Sequence, residues 1–135
     1  MDMHLIRLGI LLFLLGLLTG LAAPKLKNPR MGLSSHLEGA MNGMFLVIVG
    51  LIWSRLELSH AWLIVTFWLV VYAAYANWLA TLLAAVWGAG APMMPIAAAD
   101  RTGSASQERV IGTLLISLAV SIIAGCVLIL VGLTL

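Results

Sequence analysis

Four long apolar runs separated by short polar stretches organise this chain. The first extends from about Leu5 to Ala23, is broken only by Arg7 and ends at Pro24. The second runs from about His36 to Trp53, the third from His60 to Trp87 and the last from Val110 to Leu135. About 20 helical residues at 1.5 Å each cross a bilayer core, and each run comes close to or exceeds that length. The pattern predicts an all-α fold: one domain over residues 1–135, an integral membrane four-helix bundle spanning about 5–23, 36–53, 60–87 and 110–135. A cleaved signal sequence would share Arg7, a leucine core and Ala22-Ala23, but the leucine run is long for one.

The polar stretches predict the connections. Residues 24–34 carry Lys25, Lys27 and Arg30 among Pro and Gly, the composition of a loop. Ser35-His36-Leu37-Glu38 has the S-x-x-E form of a capping box, which would put His36 in the first turn of the second helix. Residues 54–59 form a short connection, and residues 88–109, with Pro92 and Pro95, form a loop long enough to fold over one face of the bundle. Gly16 and Gly20 are spaced as a G-x-x-x-G pair, a pattern frequent by chance in leucine-rich spans. Gly39 and Gly43 thin one side of the second helix. Thr113, Ser117, Ser121 and Gly125 recur every four residues, as on a helix–helix contact face. Trp53 and Trp62 near one boundary and Trp87 near the other fit an aromatic belt.

Composition narrows the class. Of 135 residues, 63% are hydrophobic and only 9% charged, so lipid must solvate much of the surface. The net charge of +2 is dispersed, with no basic stripe, which excludes a nucleic-acid partner. Cys126 stands alone in an apolar run and can form no internal disulfide. Five cationic residues (Lys25, Lys27, Arg30, Arg101, Arg109) lie on one side of the four spans against two (Arg7, Arg55) on the other. The positive-inside rule puts the five in the cytoplasm, as for a multi-pass protein of a bacterial-type inner membrane.

Ionisable and amide side chains inside a span are costly, and they mark a candidate site. His36, Glu38 and Asn42 enter the second span, and Asn77 sits about 15 Å deep in the third, counted from the same face. His4 and His60 lie on the opposite side of the membrane. The ends of the second helix are about 27 Å apart, so His36 and His60 cannot sandwich one cofactor within a chain. Buried amides need partners, and the plainest expectation is that Asn42 and Asn77 bond each other or a backbone carbonyl. Tyr75 or Thr81 can add a hydroxyl to the same cavity. Six residues separate His36 from Asn42, so they point about 120° apart. If both serve one kind of site, each helix serves two equivalent sites, as in a cyclic homo-oligomer.

Ser35-His-Leu-Glu-Gly-Ala-Met-Asn-Gly-Met44, with Asn77 downstream, resembles the small four-helix membrane isomerases that include styrene oxide isomerase and hydroxylaminobenzene mutase. The His-x5-Asn-Gly core and the spacing to Asn77 carry the resemblance, with chain length and topology in agreement. The resemblance implies a trimer with a ferric haem b between protomers, its iron held by one axial histidine at His36. It also places Asn42 at the substrate side of that haem. The tyrosine that completes the epoxide site of styrene oxide isomerase falls at Thr81 here, which weakens an epoxide reading. The implied reaction is isomerisation of hydroxylaminobenzene to 2-aminophenol with the iron as Lewis acid. Asn42 and Asn77 would orient the N–OH group of this small aromatic substrate. Glu38 or nearby backbone carbonyls would fix the His36 tautomer, and Arg30 and Arg101 lie on the side where the haem propionates would need them. The alternatives are an epoxide isomerase giving an aldehyde and a membrane anchor subunit without chemistry.

Overall fold

The computed structural model describes residues 1–135. All regular structure is helical: α1 (Asp2–Ala22), α2 (Pro29–Ile52), α3 (His60–Trp87), the short α4 (Pro95–Ala98) and α5 (Ala105–Thr134). The four long helices are each long and apolar enough to cross a membrane.

Two helix starts differ from the sequence expectation. α2 begins at Pro29, so residues 29–34 are helical and His36 lies two turns in. The N-cap is Asn28, whose side chain accepts from Met31 N at 3.2 Å, with Pro29 in the first turn. Asn at the N-cap followed by Pro at N1 is a strong start signal, and it outweighs the Gly and Ser that follow. The Ser35–Glu38 capping box does not form. Ser35 is buried, and its hydroxyl donates instead to Trp78 O on α3 at 3.2 Å. α5 begins at Ala105 rather than Val110, because Ser104 and Gln107 make the capping box there. The connection from α3 is correspondingly shorter, and it contains α4.

α1 and α2 run antiparallel along a seam of glycines. A Cβ on Gly9 would meet Gly43 O at 2.6 Å, and one on Gly39 would meet Gly16 Cα at 2.5 Å. The backbones are in direct contact, so Gly16 belongs to a packing motif despite the frequency of its spacing in leucine-rich spans. α2 packs on α3, and α3 on α5, while α5 makes no extended contact with α1 or α2. Two side-chain bonds tie α3 to α1: Tyr75 Oη donates to Leu8 O at 2.8 Å and Trp78 Nε1 to Thr19 Oγ1 at 3.0 Å. The bundle is therefore open, with α5 as its outer member. On α5, Gly125 packs against Val70 and Ser117 bonds Tyr72, but Thr113 is exposed, so the four-residue repeat marks the contact face only in part. Trp53 is a core residue rather than a belt residue: it is buried and meets Phe67 edge-to-face. Trp62 is exposed, as a belt residue should be.

On the side of the α1–α2 connection, the loop before α5 folds back onto the bundle. Asn28 Nδ2 donates to Ala97 O and Ala98 O, at 3.2 and 3.1 Å, and Asn28 N donates to Ala85 O. Glu108 accepts from Gly90 N at 2.9 Å and Gly103 N at 2.8 Å. Gly88, at φ 65°, ends α3 in the left-handed conformation that a glycine adopts without strain.

Candidate functional site

His36 lies against α1. A backbone carbonyl of that helix, Gly16 O, stands 2.8 Å from His36 Nδ1. A carbonyl only accepts, so Nδ1 carries the hydrogen, and Nε2 keeps its lone pair in the neutral ring. Gly20 makes the approach possible, because a Cβ there would lie 2.6 Å from Nδ1. The pair Gly16 and Gly20 thus supplies the acceptor and the space. Nε2 has no partner in the protomer, and no buried side-chain nitrogen or oxygen lacks one, so Nε2 lies at the accessible surface.

Glu38 takes a different part from the one expected of it. Its carboxylate does not touch His36; the Gly16 carbonyl holds the imidazole instead. At 100° per residue, Glu38 points about 200° away from His36 around α2, onto the opposite flank. There Glu38 Oε2 accepts from Asn77 Nδ2 at 2.6 Å and from Asn42 Nδ2 at 3.0 Å. Asn42 Nδ2 also donates to Glu38 O at 2.8 Å. The two asparagines are brought together, but through a carboxylate rather than by bonding each other.

Two other expected members stand apart. Tyr75 spends its hydroxyl on Leu8 O, on the α1 side of α3 and away from Asn77. Thr81 is buried one turn beyond Asn77 on the same face, but its hydroxyl donates to Asn77 O and Trp78 O, both at 3.0 Å. Neither offers a hydroxyl hydrogen to the Glu38 cluster. Arg30 and Arg101 are exposed and unpaired on the loop side. An apolar groove of about 320 Å³ lies on the far side of α3 from Asn77, lined by Trp68, Tyr72, Tyr75 and Leu114 among others, and it contains none of the polar cluster.

The protomer therefore carries a histidine with a free nitrogen on one flank of α2 and an acid–amide cluster on the other. The model of the styrene oxide isomerase family matches residues 1–134, nearly the whole of this chain. The chain belongs to the styrene oxide isomerase family. By that membership it is an enzyme of the isomerase type. Among curated relatives, hydroxylaminobenzene mutase HabB of Ectopseudomonas oleovorans is 57% identical over 130 residues, covering 96% of this chain and 79% of that protein. Hydroxylaminobenzene mutase HabA of the same organism is 50% identical over 132 residues, covering 98% of each. No solved structure matches. Within this styrene oxide isomerase family member, Gly16 and Gly20 are the positions packed around His36 to which motif reading gave no role at the candidate site. Their signal was present in the spacing, but its meaning depended on which helix α1 meets.

Proposed function

We propose that this protein is a membrane isomerase converting hydroxylaminobenzene to 2-aminophenol in a bacterial-type inner membrane. The observation that carries the proposal is the identity of 57% and 50% to two hydroxylaminobenzene mutases, over nearly the whole chain. The reaction moves the hydroxyl oxygen from nitrogen to the ortho carbon. The N–O bond breaks, a C–O bond forms, the ortho hydrogen leaves as a proton and nitrogen gains one. No net redox change occurs.

The residues fit a haem with one protein ligand. No three His, Cys, Asp or Glu side chains gather in the protomer as a metal cage, and a haem iron needs only one. His36 would hold it through Nε2, with Gly16 O on Nδ1 fixing the tautomer and ring orientation. Arg30 and Arg101, exposed and unpaired on the loop side, would be the cationic side chains to hold its propionates. When bound, ferric haem supplies Lewis acidity toward the departing oxygen. Asn42 and Asn77, held by Glu38, orient the N–OH group. The surrounding apolar side chains bury the aromatic ring and keep water from capturing it, and close confinement of the departing oxygen favours its return to the ortho position. Because His36 and the Asn42–Asn77 pair diverge around α2, a complete site takes His36 from one protomer and the amides from a neighbour, as in a cyclic trimer.

Epoxide isomerisation is the second reading, favoured by the family model. Against it stands Thr81, whose hydroxyl is committed to backbone carbonyls. Purified protein given hydroxylaminobenzene and, separately, styrene oxide decides between them: 2-aminophenol is the expected product, with little phenylacetaldehyde. The reverse outcome rejects the proposal. The haem is tested by the absorption spectrum, where a Soret band lost in His36→Ala and kept in His60→Ala is expected. No band after haem supplementation removes the haem.

A further inference from the structure

The orientation of the amides around Glu38 decides what this flank can recognise. Asn42 Nδ2 donates to the backbone carbonyl of Glu38 at 2.8 Å, and a carbonyl only accepts, so this amide has one orientation. Its second hydrogen goes to Glu38 Oε2 at 3.0 Å, and Asn77 Nδ2 donates to the same oxygen at 2.6 Å. Both amide nitrogens are turned toward Glu38, and both amide oxygens away from it. Asn42 Oδ1, Asn77 Oδ1 and Glu38 Oε1 have no partners in the protomer, and no buried side-chain oxygen lacks one, so all three lie on the accessible edge. The neighbouring hydroxyl, Thr81, donates to its own helix. The edge thus offers three acceptors against one spare amide hydrogen, on Asn77.

We propose that Glu38 is the specificity-determining positioning residue of this site. By holding both amide nitrogens it presents the Asn42 and Asn77 oxygens as acceptors, and so selects a reacting group that donates hydrogens. An arylhydroxylamine has an N–H and an O–H to give, whereas an epoxide has only an acceptor oxygen. A site built of acceptors discriminates strongly against a ligand without donors, because its own polar atoms are then left unpaired. The inference rests on the reading that this flank receives the substrate, and it adds why the flank prefers one substrate class of the family over the other.

The test uses the full chain in detergent and two unreactive probes of similar shape, para-fluorobenzyl alcohol and its methyl ether, with binding followed by fluorine NMR. The wild type is expected to bind the alcohol about tenfold more tightly than the ether. In Glu38→Gln the side-chain oxygen can still accept from the asparagines while its new amide presents a donor, so ether binding is expected to rise and the ratio to fall to about twofold. A gain in ether affinity is not what a loosened pocket produces. Glu38→Ala is expected to lose the preference by weakening the alcohol, and partition into detergent cancels between variants. Equal wild-type affinities, no measurable binding, or a ratio unchanged in Glu38→Gln overturns the inference. Formation of 2-aminophenol tests the reaction separately. Product without a preference for the alcohol rejects only the assignment to Glu38; preference without product rejects only the reaction.

Discussion

Glu38 and the seam glycines show how single positions control this site from opposite chemical extremes. One carboxylate oxygen gathers two amides that would otherwise each need a partner within the membrane. The glycines contribute by having no side chain: the α1 and α2 backbones touch at Gly16 and Gly39, and the His36 imidazole enters beside Gly20. Gly39→Ala puts a methyl group 2.5 Å from Gly16 Cα and 2.9 Å from Trp78 Cδ1, where neither neighbour can yield cheaply. Thermal unfolding of the solubilised protein should show a loss of about 1–3 kcal/mol. Gly112→Ala makes the contrast, since a Cβ there meets nothing within 4 Å. That variant should gain up to about 1 kcal/mol from the helix preference of alanine over glycine. The same sign for both variants would show that the seam is looser than these contacts imply.

The connection between α3 and α5 behaves as a fixed cap rather than a free loop. Asn28 caps α2 with its oxygen and binds Ala97 O and Ala98 O with its nitrogen, so one side chain serves a helix start and a distant turn. Glu108 anchors the other edge through Gly90 N and Gly103 N. Asn28→Ala removes the cap and leaves those carbonyls without their donor, a cost of about 1–2 kcal/mol. Local opening should rise about fivefold to thirtyfold, and trypsin cleavage after the exposed Arg101 should accelerate accordingly, since proteolysis follows the open population when closing is fast. An unchanged cleavage rate would mean that Glu108 alone holds the loop. The length of the polar stretch predicted a loop able to fold over one face of the bundle; its anchors carried no such signal, apart from Asn28 beside Pro29.

At the scale of the whole molecule, the open arrangement matters most. α5 leans on α3, α1 on α2, and the polar groups of α2 face opposite flanks, so under the proposed function one protomer would hold two halves of different sites. Neither half is complete by itself if the reaction needs His36 and the amides together. Co-expression of His36→Ala with Asn42→Ala tests this directly, because each variant alone should be inactive. In a randomly mixed cyclic oligomer about a quarter of the interfaces pair an intact histidine with an intact asparagine, and activity should return to about that level. No recovery, with mixed oligomers present on a gel, would place both residues in one protomer's site.

The sequence by itself determined the four apolar helices, the membrane as their solvent and the three intramembrane polar residues of α2. Each of these is written in local pattern and composition. It also determined that His36 and Asn42 diverge, because helix periodicity fixes their angle. What it left undecided were the partners. Glu38 meets Asn77 across 39 positions of chain and His36 meets Gly16 across 20, and neither contact has a periodic trace. The true start of α2 was legible in Asn28-Pro29, but Ser35–Glu38 offered a rival cap, and only packing of Ser35 onto Trp78 O resolved the two. Tyr75 and Thr81 had suitable chemistry and depth, yet hydroxyls in a low-dielectric interior take the nearest acceptor, and the fold gave each a backbone carbonyl. Tertiary structure decided these assignments because a hydrogen bond depends on which atoms come within about 3 Å, a property of the folded array and not of any single helix.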